Sequence, residues 1–326
     1  MKVFLTGGTG NIGQNVVREL LDRGHETVIL TRNRERVPAF KSIPGVTLIE
    51  GTIHNHDVVN AGMSGCDALI HIALGWGNDP VNMLDHDTRE TAALLDMAER
   101  NGLKNFIYTS STAATGDLGS GLDETCAYRP TDLYGSTKAA SEVYCLGFRQ
   151  YYAEQGGYGK KVNLRRNIIR PGYTYSNPIV EGGASQSDQR FFQMALKVLK
   201  GENLVYDAND GTQFLSGRQI AKVYADLIES DLNEEIFFAL GSNFITWHEI
   251  AKIALELVPE SSSKLIVNGE WHDHSLYDVS KVERVFGRKF DSMEDIREHV
   301  EWNISRARDY LAGKEIYNTN HEYSEK

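Results

Sequence analysis

The segment LYGSTKAASE, residues 133–142, contains the pair of side chains best suited to acid–base chemistry. Its lysine and alanines favour a helix, and residues four apart on a helix lie on one face. The phenol of Tyr134 and the ammonium of Lys138 are therefore expected side by side. A free phenol, with a pKa of about 10, is a weak base at neutral pH. A cation at about 4 Å supplies about 4 kcal/mol at an effective dielectric of 20, which is enough to lower the pKa of a phenol from about 10 to about 7.

A run of hydroxyl side chains, TSST at residues 109–112, ends a predicted strand upstream of that helix. Ligand sites of open parallel sheets lie at the carboxyl ends of their strands. Reduction of a carbonyl needs a proton delivered to its oxygen, and the reverse reaction needs a proton removed. The hydroxyls can hold that oxygen while Tyr134 exchanges the proton, provided that a hydride carrier binds nearby.

The glycine-rich stretch LTGGTGNIG, residues 5–13, predicts the site of such a carrier. Its glycines fit G-x-G-x-x-G when counted from Gly8 and G-x-x-G-x-x-G when counted from Gly7. They allow a tight turn and a close approach of backbone N–H groups to a pyrophosphate, and the next helix N-terminus favours negative charge. An ordinary glycine turn is the alternative. We predict a dinucleotide bound by the loop residues Gly7, Gly10, Asn11, Ile12 and Gly13.

The strand after that helix, ETVILT, is followed by Arg32 instead of an acidic residue. An acid at this place would hold the ribose hydroxyls of NAD, whereas an arginine can bind a 2′-phosphate through charge-assisted hydrogen bonds. Since such a bond is worth about 1.5–3 kcal/mol, we predict a roughly ten- to hundredfold preference for NADP, with NAD still possible. Arg32 could instead stack on the adenine or lie in solvent.

The elements that must position these residues alternate between strand and helix in the first half of the chain. The strand-like segments are KVFL, ETVILT, VTLIE, DALIHIA, KNFIYTSS and VNLRRNIIRPG. The helical ones are NIGQNVVRELLDRG, DTRETAALLDMAERNG and the segment from Tyr134. Nearly continuous apolar strands separated by helices predict an α/β fold with a doubly wound parallel sheet, a Rossmann fold.

The rhythm changes after Pro171. FFQMALKVLKG, ITWHEIAKIALELV and SMEDIREHVEWNISRARDYL are helical, while EEIFFALGS is one more strand. They predict a smaller, interleaved, mostly helical C-terminal substrate domain. The predicted boundaries are 1–175, with later contributions from about 212–242, for the dinucleotide-binding domain, 176–211 and 243–312 for the substrate-binding domain, and 313–326 for a polar tail.

Composition indicates which classes of partner and which cellular compartment to expect. The chain has 45 acidic and 34 basic residues, a formal charge of −11, which argues against nucleic acid as a partner. No apolar run is long enough to predict a membrane span, and MKVFLTGGTG does not resemble a signal peptide. The cysteines, Cys66, Cys126 and Cys145, are odd in number and far apart, which suggests neither a disulfide framework nor a zinc site. We predict a cytoplasmic protein with a small-molecule substrate.

Taken in order, the motifs resemble those of the extended short-chain dehydrogenases/reductases, also called the NAD-dependent epimerase/dehydratase family. The matching segments cover almost the whole chain: TGGTGNIG, GCDALIHIA, KNFIYTSST, YGSTK, IIRPGYTYSNP, YDVSKVERVFG and SMEDIREHVEWN. The resemblance implies that Tyr134 and Lys138 are catalytic, that Lys138 also holds the nicotinamide ribose, and that Ser111 is the catalytic hydroxyl, with Thr112 next in line. It also implies a homodimer, because family members often dimerise through helices of the large domain.

The resemblance further implies where the cofactor lies. Its binding residues would include Ile53 beside the adenine, Ala73 along the cofactor, Thr109 at a strand end, and Pro171 with Gly172, whose backbone contacts the nicotinamide. Trp76 follows a strand end that should face the cofactor, so it could wall the substrate site or simply pack. Adding the tyrosines after RPG, we predict that the substrate contacts Trp76, Ser111, Thr112, Tyr173 and Tyr175.

Departures from the family pattern bear on the substrate. The arginine of the G-x-Q-x-R-type segment is missing from DGTQFLSGRQIA, residues 210–221, and neither Arg218 nor Arg190 matches it by position. TSST lacks the Asp–Glu pair of dehydratases, so water elimination is not expected. We predict an NAD(P)-dependent oxidoreductase that transfers a hydride between nicotinamide and a hydroxyl or carbonyl carbon of a small substrate, with sugars among the candidates. A sugar or nucleotide-sugar epimerase and a non-catalytic NADP-binding regulator remain open.

Two segments, HNHD at 54–57 and WHDHS at 271–275, contain imidazoles and a carboxylate of the kinds that bind metals. Metal binding needs ligands that converge on one point, and neither segment has an evident partner cluster. We predict solvated polar turns and no metal.

Overall fold

The computed structural model of the protein describes residues 1–116, 121–153, 157–180, 183–185, 189–314 and 316, so the predicted tail lies mostly outside the described residues. The strands in chain order are β1 (Lys2–Thr6), β2 (Glu26–Thr31), β3 (Val46–Glu50), β4 (Ala68–His71), β5 (Asn105–Thr109), β6 (Gln150–Tyr152), β7 (Tyr158–Lys161), β8 (Arg165–Pro171), β9 (Thr174–Tyr175), β10 (Leu204–Asp207), β11 (Gly211–Thr212), β12 (Leu215–Ser216), β13 (Ile236–Ala239), β14 (Ile245–Thr246) and β15 (Leu265–Asn268).

The helices in chain order are α1 (Asn11–Asp22), α2 (His56–Met63), α3 (Pro80–Met83), α4 (Glu90–Arg100), α5 (Leu133–Gly147), α6 (Arg190–Lys200), α7 (Gly217–Glu229), α8 (Trp247–Leu257), α9 (Ser280–Phe286) and α10 (Met293–Leu311). A π-helical turn, Leu84–Arg89, joins α3 to α4. The 3₁₀ turns are Arg34–Arg36, Pro38–Ser42 and Thr112–Ala114.

Seven strands form one parallel sheet in the order β13-β8-β5-β4-β1-β2-β3. Successive side chains of a strand point to opposite faces. In β1, Leu5 joins a cluster with α1 and α7, whereas Phe4 joins a cluster with α2, α4 and α5. Apolar helices therefore cover both faces, and the predicted doubly wound parallel sheet is confirmed.

The strand order reverses at β1, which lies between β2 and β4. In open parallel sheets, ligands bind in the crevice beyond the carboxyl ends of the strands at such a reversal. The glycine loop follows β1, and the segment containing Ala73 and Trp76 follows β4. The fold therefore brings two of the predicted cofactor segments to one crevice.

A second lobe has its own core, formed largely by α6, α8 and α10. Phe191, Phe214 and Trp247 pack edge to face at its centre, with ring centroids 4.9–6.4 Å apart. The chain returns from this lobe to the sheet, where β13 pairs with β8 and α7 packs beside α1.

Some elements differ from the prediction. Helices α2 and α7 and the small pairs β6–β7 and β10–β15 are absent from the sequence-based prediction. Helix α9 lies inside the predicted substrate segment 243–312, yet Val282 and Phe286 pack on the sheet lobe, where the ring of Phe286 is 5.1 Å from that of Phe237. The apolar side of this short helix thus completes the sheet core.

Candidate functional site

The glycine loop is folded tightly between the ends of β1 and β4. Gly7 has a φ of 72°, and a Cβ there would lie 2.6 Å from the backbone nitrogen of Ala73. A Cβ on Gly13 would collide with the carbonyl oxygen of Gly7. Gly10 precedes α1 as its N-cap and provides no side-chain acceptor for the first-turn N–H groups. This cradle of free N–H groups at a helix N-terminus fits the pyrophosphate of a dinucleotide.

The side chains of the first residues of α1 contact other parts of the protein. The Asn11 side chain donates to the Thr174 hydroxyl at 3.2 Å and accepts from the Ser176 hydroxyl at 2.5 Å. Ile12 is half-buried against the sheet core. These side chains therefore anchor local structure, and it is their backbone N–H groups that are available at the helix end.

Arg32 and Ile53 lie beyond the carboxyl ends of the neighbouring strands β2 and β3. Arg32 directly follows Thr31, the last residue of β2, and its side chain is exposed. Ile53 is half-buried against the core beneath the sheet end. Both are on the β2 side of the glycine loop, where the first half of a dinucleotide would extend.

Helix α5 carries the predicted acid–base pair. Asp132 caps it by accepting the Gly135 N–H at 2.6 Å. The ammonium nitrogen of Lys138 is 5.8 Å from the centroid of the Tyr134 ring and donates to the Thr109 carbonyl at 3.2 Å. Lys138 is 3% exposed, while Tyr134 is half-buried. The predicted juxtaposition of phenol and ammonium is therefore present, with Thr109 beside it.

The hydroxyl residues reach the same place through a close backbone contact. Ser111 caps the 3₁₀ turn Thr112–Ala114 by accepting the Ala113 N–H at 3.1 Å. A Cβ on Gly135 would collide with the Ala113 carbonyl, so the turn packs directly on the start of α5. This brings the turn that Ser111 caps beside the first turn of α5, which contains Tyr134. The sequence signal for Gly135 was a glycine in the first turn of a helix, where it costs stability unless packing requires it.

The residues after β8 approach the same turn. Pro171 ends β8, and Gly172 lies so close to Leu240 that a Cβ would be 2.5 Å from its Cδ2. The Thr112 side chain would be 3.9 Å from the same Cβ. Pro171 and Gly172 thus border the hydroxyl turn.

The predicted substrate aromatics occupy different environments. Trp76 is 47% exposed, with its ring centroid 6.2 Å from that of Tyr134. Tyr173 is half-buried, edge-on to Phe214 at 4.9 Å. Tyr175 is instead fully buried in the second core and donates to the Ser292 carbonyl at 3.2 Å. Trp76 therefore lies at the mouth of the site, whereas the structure puts Tyr175 in a core instead of at a substrate surface.

A buried ion pair, missed from the sequence, ties α5 to β8. Arg170 donates from Nε and Nη2 to the two carboxylate oxygens of Glu142 at 2.9 and 2.7 Å. Tyr128 donates to the same carboxylate at 3.0 Å, and Ser110 also donates to it. The arginine of the RPG segment is Arg170. It is 1% exposed and holds α5 from inside the protein through its ion pair with Glu142.

A neutral histidine lies under the site. Nδ1 of His71 is 2.6 Å from the Thr6 hydroxyl, and Nε2 is 3.1 Å from that of Thr91. Burial, with a further contribution from the Lys138 charge, lowers the pKa of His71 to about 3. The site therefore contains an uncharged imidazole as well as the ammonium at neutral pH.

The two arginines that could bind a substrate diphosphate, Arg218 and Arg190, both form ion pairs with carboxylates. Arg218 pairs with Asp295 and with Glu298, and Arg190 pairs with Asp210. Read onto Gly211 and Gln213, the G-x-Q-x-R pattern puts Leu215 in the arginine position, and Leu215 is fully buried.

The two histidine segments have local partners. His54 and His56 contact the buried Glu90 carboxylate at 3.3 and 2.7 Å, and His274 stacks on Phe244 with ring centroids 3.8 Å apart. Across the described ranges, no cluster of His, Cys, Asp and Glu has a metal-binding arrangement. Within the same ranges, no helix has both the length and the hydropathy to cross a bilayer.

Comparisons with known proteins identify the family and the fold. The model of the NAD dependent epimerase/dehydratase family matches residues 3–236. The UDP-glucose 4-epimerase of Corynebacterium glutamicum is 29% identical over 268 residues, covering 74% of this chain and 75% of that protein. A putative dihydroflavonol 4-reductase of Synechocystis sp. is 31% identical over 157 residues, 47% of this chain. The match covers 43% of that reductase, so the chain spans less than half the length of this relative.

Among solved structures, the UDP-glucuronic acid 4-epimerase of Bacillus cereus in complex with NAD superposes with a TM-score of 0.76. The superposition covers 94% of this chain and 99% of that one, at 18% identity. At this identity the likeness establishes the fold.

Proposed function

Because the chain belongs to the NAD-dependent epimerase/dehydratase family, we propose that it is an NADP-dependent oxidoreductase acting on a hydroxyl- or carbonyl-bearing carbon of a small substrate. The observation that carries the proposal is the half-buried Tyr134 ring, with the Lys138 ammonium 5.8 Å and the exposed Trp76 ring 6.2 Å from its centroid. A positioned phenol beside a cation is suited to proton exchange with a substrate oxygen.

Each residue of the site has a distinct task. The oxygen of Ser111 accepts the Ala113 N–H, so its O–H is free to donate to the substrate oxygen, with Thr112 beside it. Tyr134 delivers the proton in reduction and removes it in oxidation. Lys138 stabilises the phenolate form of Tyr134. The nicotinamide, when bound, supplies or accepts the hydride.

The cofactor preference rests on Arg32. Its guanidinium is exposed just beyond β2 and can pair with a 2′-phosphate. In Arg32→Ala we expect NADP affinity to fall by about tenfold or more while NAD affinity changes little. Arg34→Ala is the matched control, because Arg34 is paired with Glu50 at 3.7 Å. Titration of both dinucleotides would refute the assignment if the affinity ratio were unchanged in Arg32→Ala.

The site favours a substrate without a diphosphate. Arg190 and Arg218 are neutralised by carboxylates, and an apolar residue, Leu215, stands where the diphosphate arginine is usual. Trp76 instead offers an exposed aromatic surface beside Tyr134. We therefore assign a small, uncharged carbonyl or hydroxyl compound as the substrate class.

The function is tested by an NADPH-oxidation screen with aldehydes, ketones, sugar lactones and nucleotide-sugar ketones. Turnover of an uncharged carbonyl compound, abolished in Tyr134→Phe, supports the proposal. Turnover restricted to nucleotide sugars would overturn the substrate class.

An epimerase is the second candidate, supported by the relative from Corynebacterium glutamicum that is aligned over 74% of this chain. An epimerase oxidises and re-reduces the same substrate without net cofactor consumption. Cofactor retained through purification, with conversion that leaves the nicotinamide absorbance unchanged, would favour it over the oxidoreductase.

We also propose a homodimer formed through α5. Val143 and Tyr144 on this helix are 55% and 57% exposed, which suits an apolar interface. Sedimentation of Val143→Glu/Tyr144→Glu should give a monomer where the parent gives a dimer. A parent chain that sediments as a monomer would contradict the assembly.

The proposed compartment is the reducing cytoplasm. All three cysteines are free, and burial raises the pKa of the Cys66 and Cys145 thiols. Such thiols resist oxidation and need no disulfide partner. A tagged chain found in an oxidising compartment by fractionation would refute the location.

A further inference from the structure

A buried carboxylate lies behind the Tyr134–Lys138 pair. Asp87 belongs to the π-helical turn Leu84–Arg89, and its side chain is fully buried with Oδ1 3.7 Å from the Lys138 nitrogen. Among the described residues, neither carboxylate oxygen of Asp87 has a hydrogen-bond partner. Burying a charge without hydrogen bonds is costly, so the Lys138 ammonium is the group that compensates it.

The turn that carries Asp87 is fastened to α5. The Thr88 hydroxyl donates to the Thr137 carbonyl at 3.3 Å, and the Ser141 hydroxyl donates to Thr88 at 3.4 Å. π-Helical turns within helices are frequent at functional sites. Here the turn fixes the carboxylate against the helix that bears both members of the acid–base pair.

Titratable groups face Asp87 and Lys138 from every neighbouring element. They are His71 on β4, Tyr108 on β5, Tyr224 on α7, and Tyr134 and Cys145 on α5. One turn beyond Lys138, Glu142 is paired with Arg170. Along the same segment as Asp87, Asp85 pairs with Arg89, His86 contacts the Trp76 carbonyl, and Glu90 contacts His56.

The buried neighbours are uncharged near neutral pH. Burial, together with the Lys138 charge, lowers the pKa of His71 to about 3. Burial raises the pKa of Tyr108 well above its ordinary value, and the Asp87 carboxylate raises it further. Burial likewise raises the pKa of Tyr224 and of the Cys145 thiol. The field at the Tyr134 phenol is therefore set largely by the opposed charges of Lys138 and Asp87.

We propose that Asp87 is a positioning residue that holds the Lys138 ammonium in place, partly cancels its field at Tyr134, and so sets the pH range over which Tyr134 exchanges its proton. The inference rests on the proposed role of Tyr134. A neighbouring cation favours the phenolate, and a neighbouring carboxylate opposes it. The Lys138 ammonium therefore lowers the pKa of the phenol by less than it would without Asp87 beside it.

The test is a direct titration of the Tyr134 phenol, which needs no substrate. The chain has 15 tyrosines, so the phenolate absorbance of Tyr134→Phe is subtracted at each pH to isolate one ring. The same subtraction is made in the Asp87→Asn background. We expect the Tyr134 midpoint to move to lower pH by about one unit in Asp87→Asn.

An Asp87→Asn midpoint equal to or above that of the parent would overturn the inference. Asp295→Asn is the matched control. Asp295 lies on α10 in the second lobe, is only 5% exposed and, like Asp87, pairs with a cationic side chain, Arg218. This variant should leave the Tyr134 midpoint unchanged, and an equal downward shift there would also refute the assignment to Asp87. If Asp87→Asn does not fold, Asp87→Ser removes the same charge with less bulk and carries the same expectation.

The proposed function and the role of Asp87 can be refuted separately. Turnover that survives in Tyr134→Phe would remove the proposed function, whatever the titration shows. A lost turnover in that variant, combined with a Tyr134 midpoint insensitive to Asp87, would keep the proposed function and remove the role of Asp87.

Discussion

The sheet lobe and the helical lobe place their ion pairs in different environments. In the sheet lobe, Lys138 and Asp87 are almost fully buried at 3.7 Å from each other, beside a phenol that is open to the crevice. In the helical lobe, the Arg190 guanidinium lies over the Trp247 ring of the aromatic core and pairs with the Asp210 carboxylate. If the proposed function is right, we expect substitutions at this buried pair to alter turnover and substitutions in the helical lobe to alter mainly stability.

Removing the Lys138 ammonium would break this contrast most strongly. Lys138→Met leaves the Asp87 carboxylate buried and uncompensated, which we expect to lower the free energy of unfolding by about 3–5 kcal/mol. Turnover should fall by about 10²–10⁴-fold, and NADP affinity should also fall. Denaturant unfolding and dinucleotide titration measure the two effects.

The double variant Lys138→Met/Asp87→Asn separates stability from chemistry. Removing both charges should restore much of the lost stability, because no uncompensated charge remains, without restoring turnover. Stability that stays as low as in Lys138→Met would contradict the pairing of the two side chains.

A methyl group on Gly7 tests whether the glycine loop of the sheet lobe binds the cofactor. Gly7→Ala combines a positive φ with a Cβ 2.6 Å from the Ala73 nitrogen, so we expect NADP affinity to fall by about tenfold or more. Gly24→Ala is the control, since Gly24 has a φ of 78° with no atom within 4 Å of a Cβ. It should lose about 1–2 kcal/mol of stability with unchanged NADP affinity. Equal affinities in the two variants would argue against the cradle.

Among the described residues, each lobe contains one fully buried histidine, and acid should destabilise both lobes. Burial, with further contributions from the Lys138 and Arg306 charges respectively, lowers the pKa of His71 and of His299 to about 3, below the roughly 6.5 of the unfolded chain. Their contribution to stability is therefore complete above about pH 6.5 and is lost as the pH falls toward 3, by about 1.4 kcal/mol per pH unit for each histidine. His71→Gln and His299→Gln should each flatten the fall of unfolding free energy between these values. An unchanged slope would refute the buried neutral state of that histidine.

The smallest effect is expected in the core of the helical lobe. Tyr175→Phe removes a hydroxyl that donates to the Ser292 carbonyl, which should cost about 1 kcal/mol of unfolding free energy. Turnover and KM should stay at parental values. A raised KM would return Tyr175 to the substrate site.

Local patterns in the sequence predicted the elements that carry the site. The spacing of Val16, Val17 and Leu20 predicted α1, and the glycines before it predicted a loop whose close approach to Ala73 the structure contains. The four-residue spacing of Tyr134 and Lys138 was sufficient to put them together, because helical geometry is local.

Contacts between distant segments could not be predicted in this way. Asp87 lies in DHDTRE, which looks like a solvated helix start, and only the packing of its turn on α5 brings it to Lys138. Tyr175 follows RPG closely, but the pairing of β9 with β12 turns its ring into the second core. Helix α7 was within reach, since Ile220, Val223 and Leu227 have helical spacing.

The central claim is that the Tyr134 phenol exchanges the proton that accompanies hydride transfer. The most direct measurement is single-turnover oxidation of bound NADPH by the best carbonyl substrate in the parent and in Tyr134→Phe, with NADPH affinity measured in parallel. We predict a rate lower by about 10²–10⁴-fold in the variant, with the affinity nearly unchanged. A single-turnover rate close to that of the parent would contradict the account.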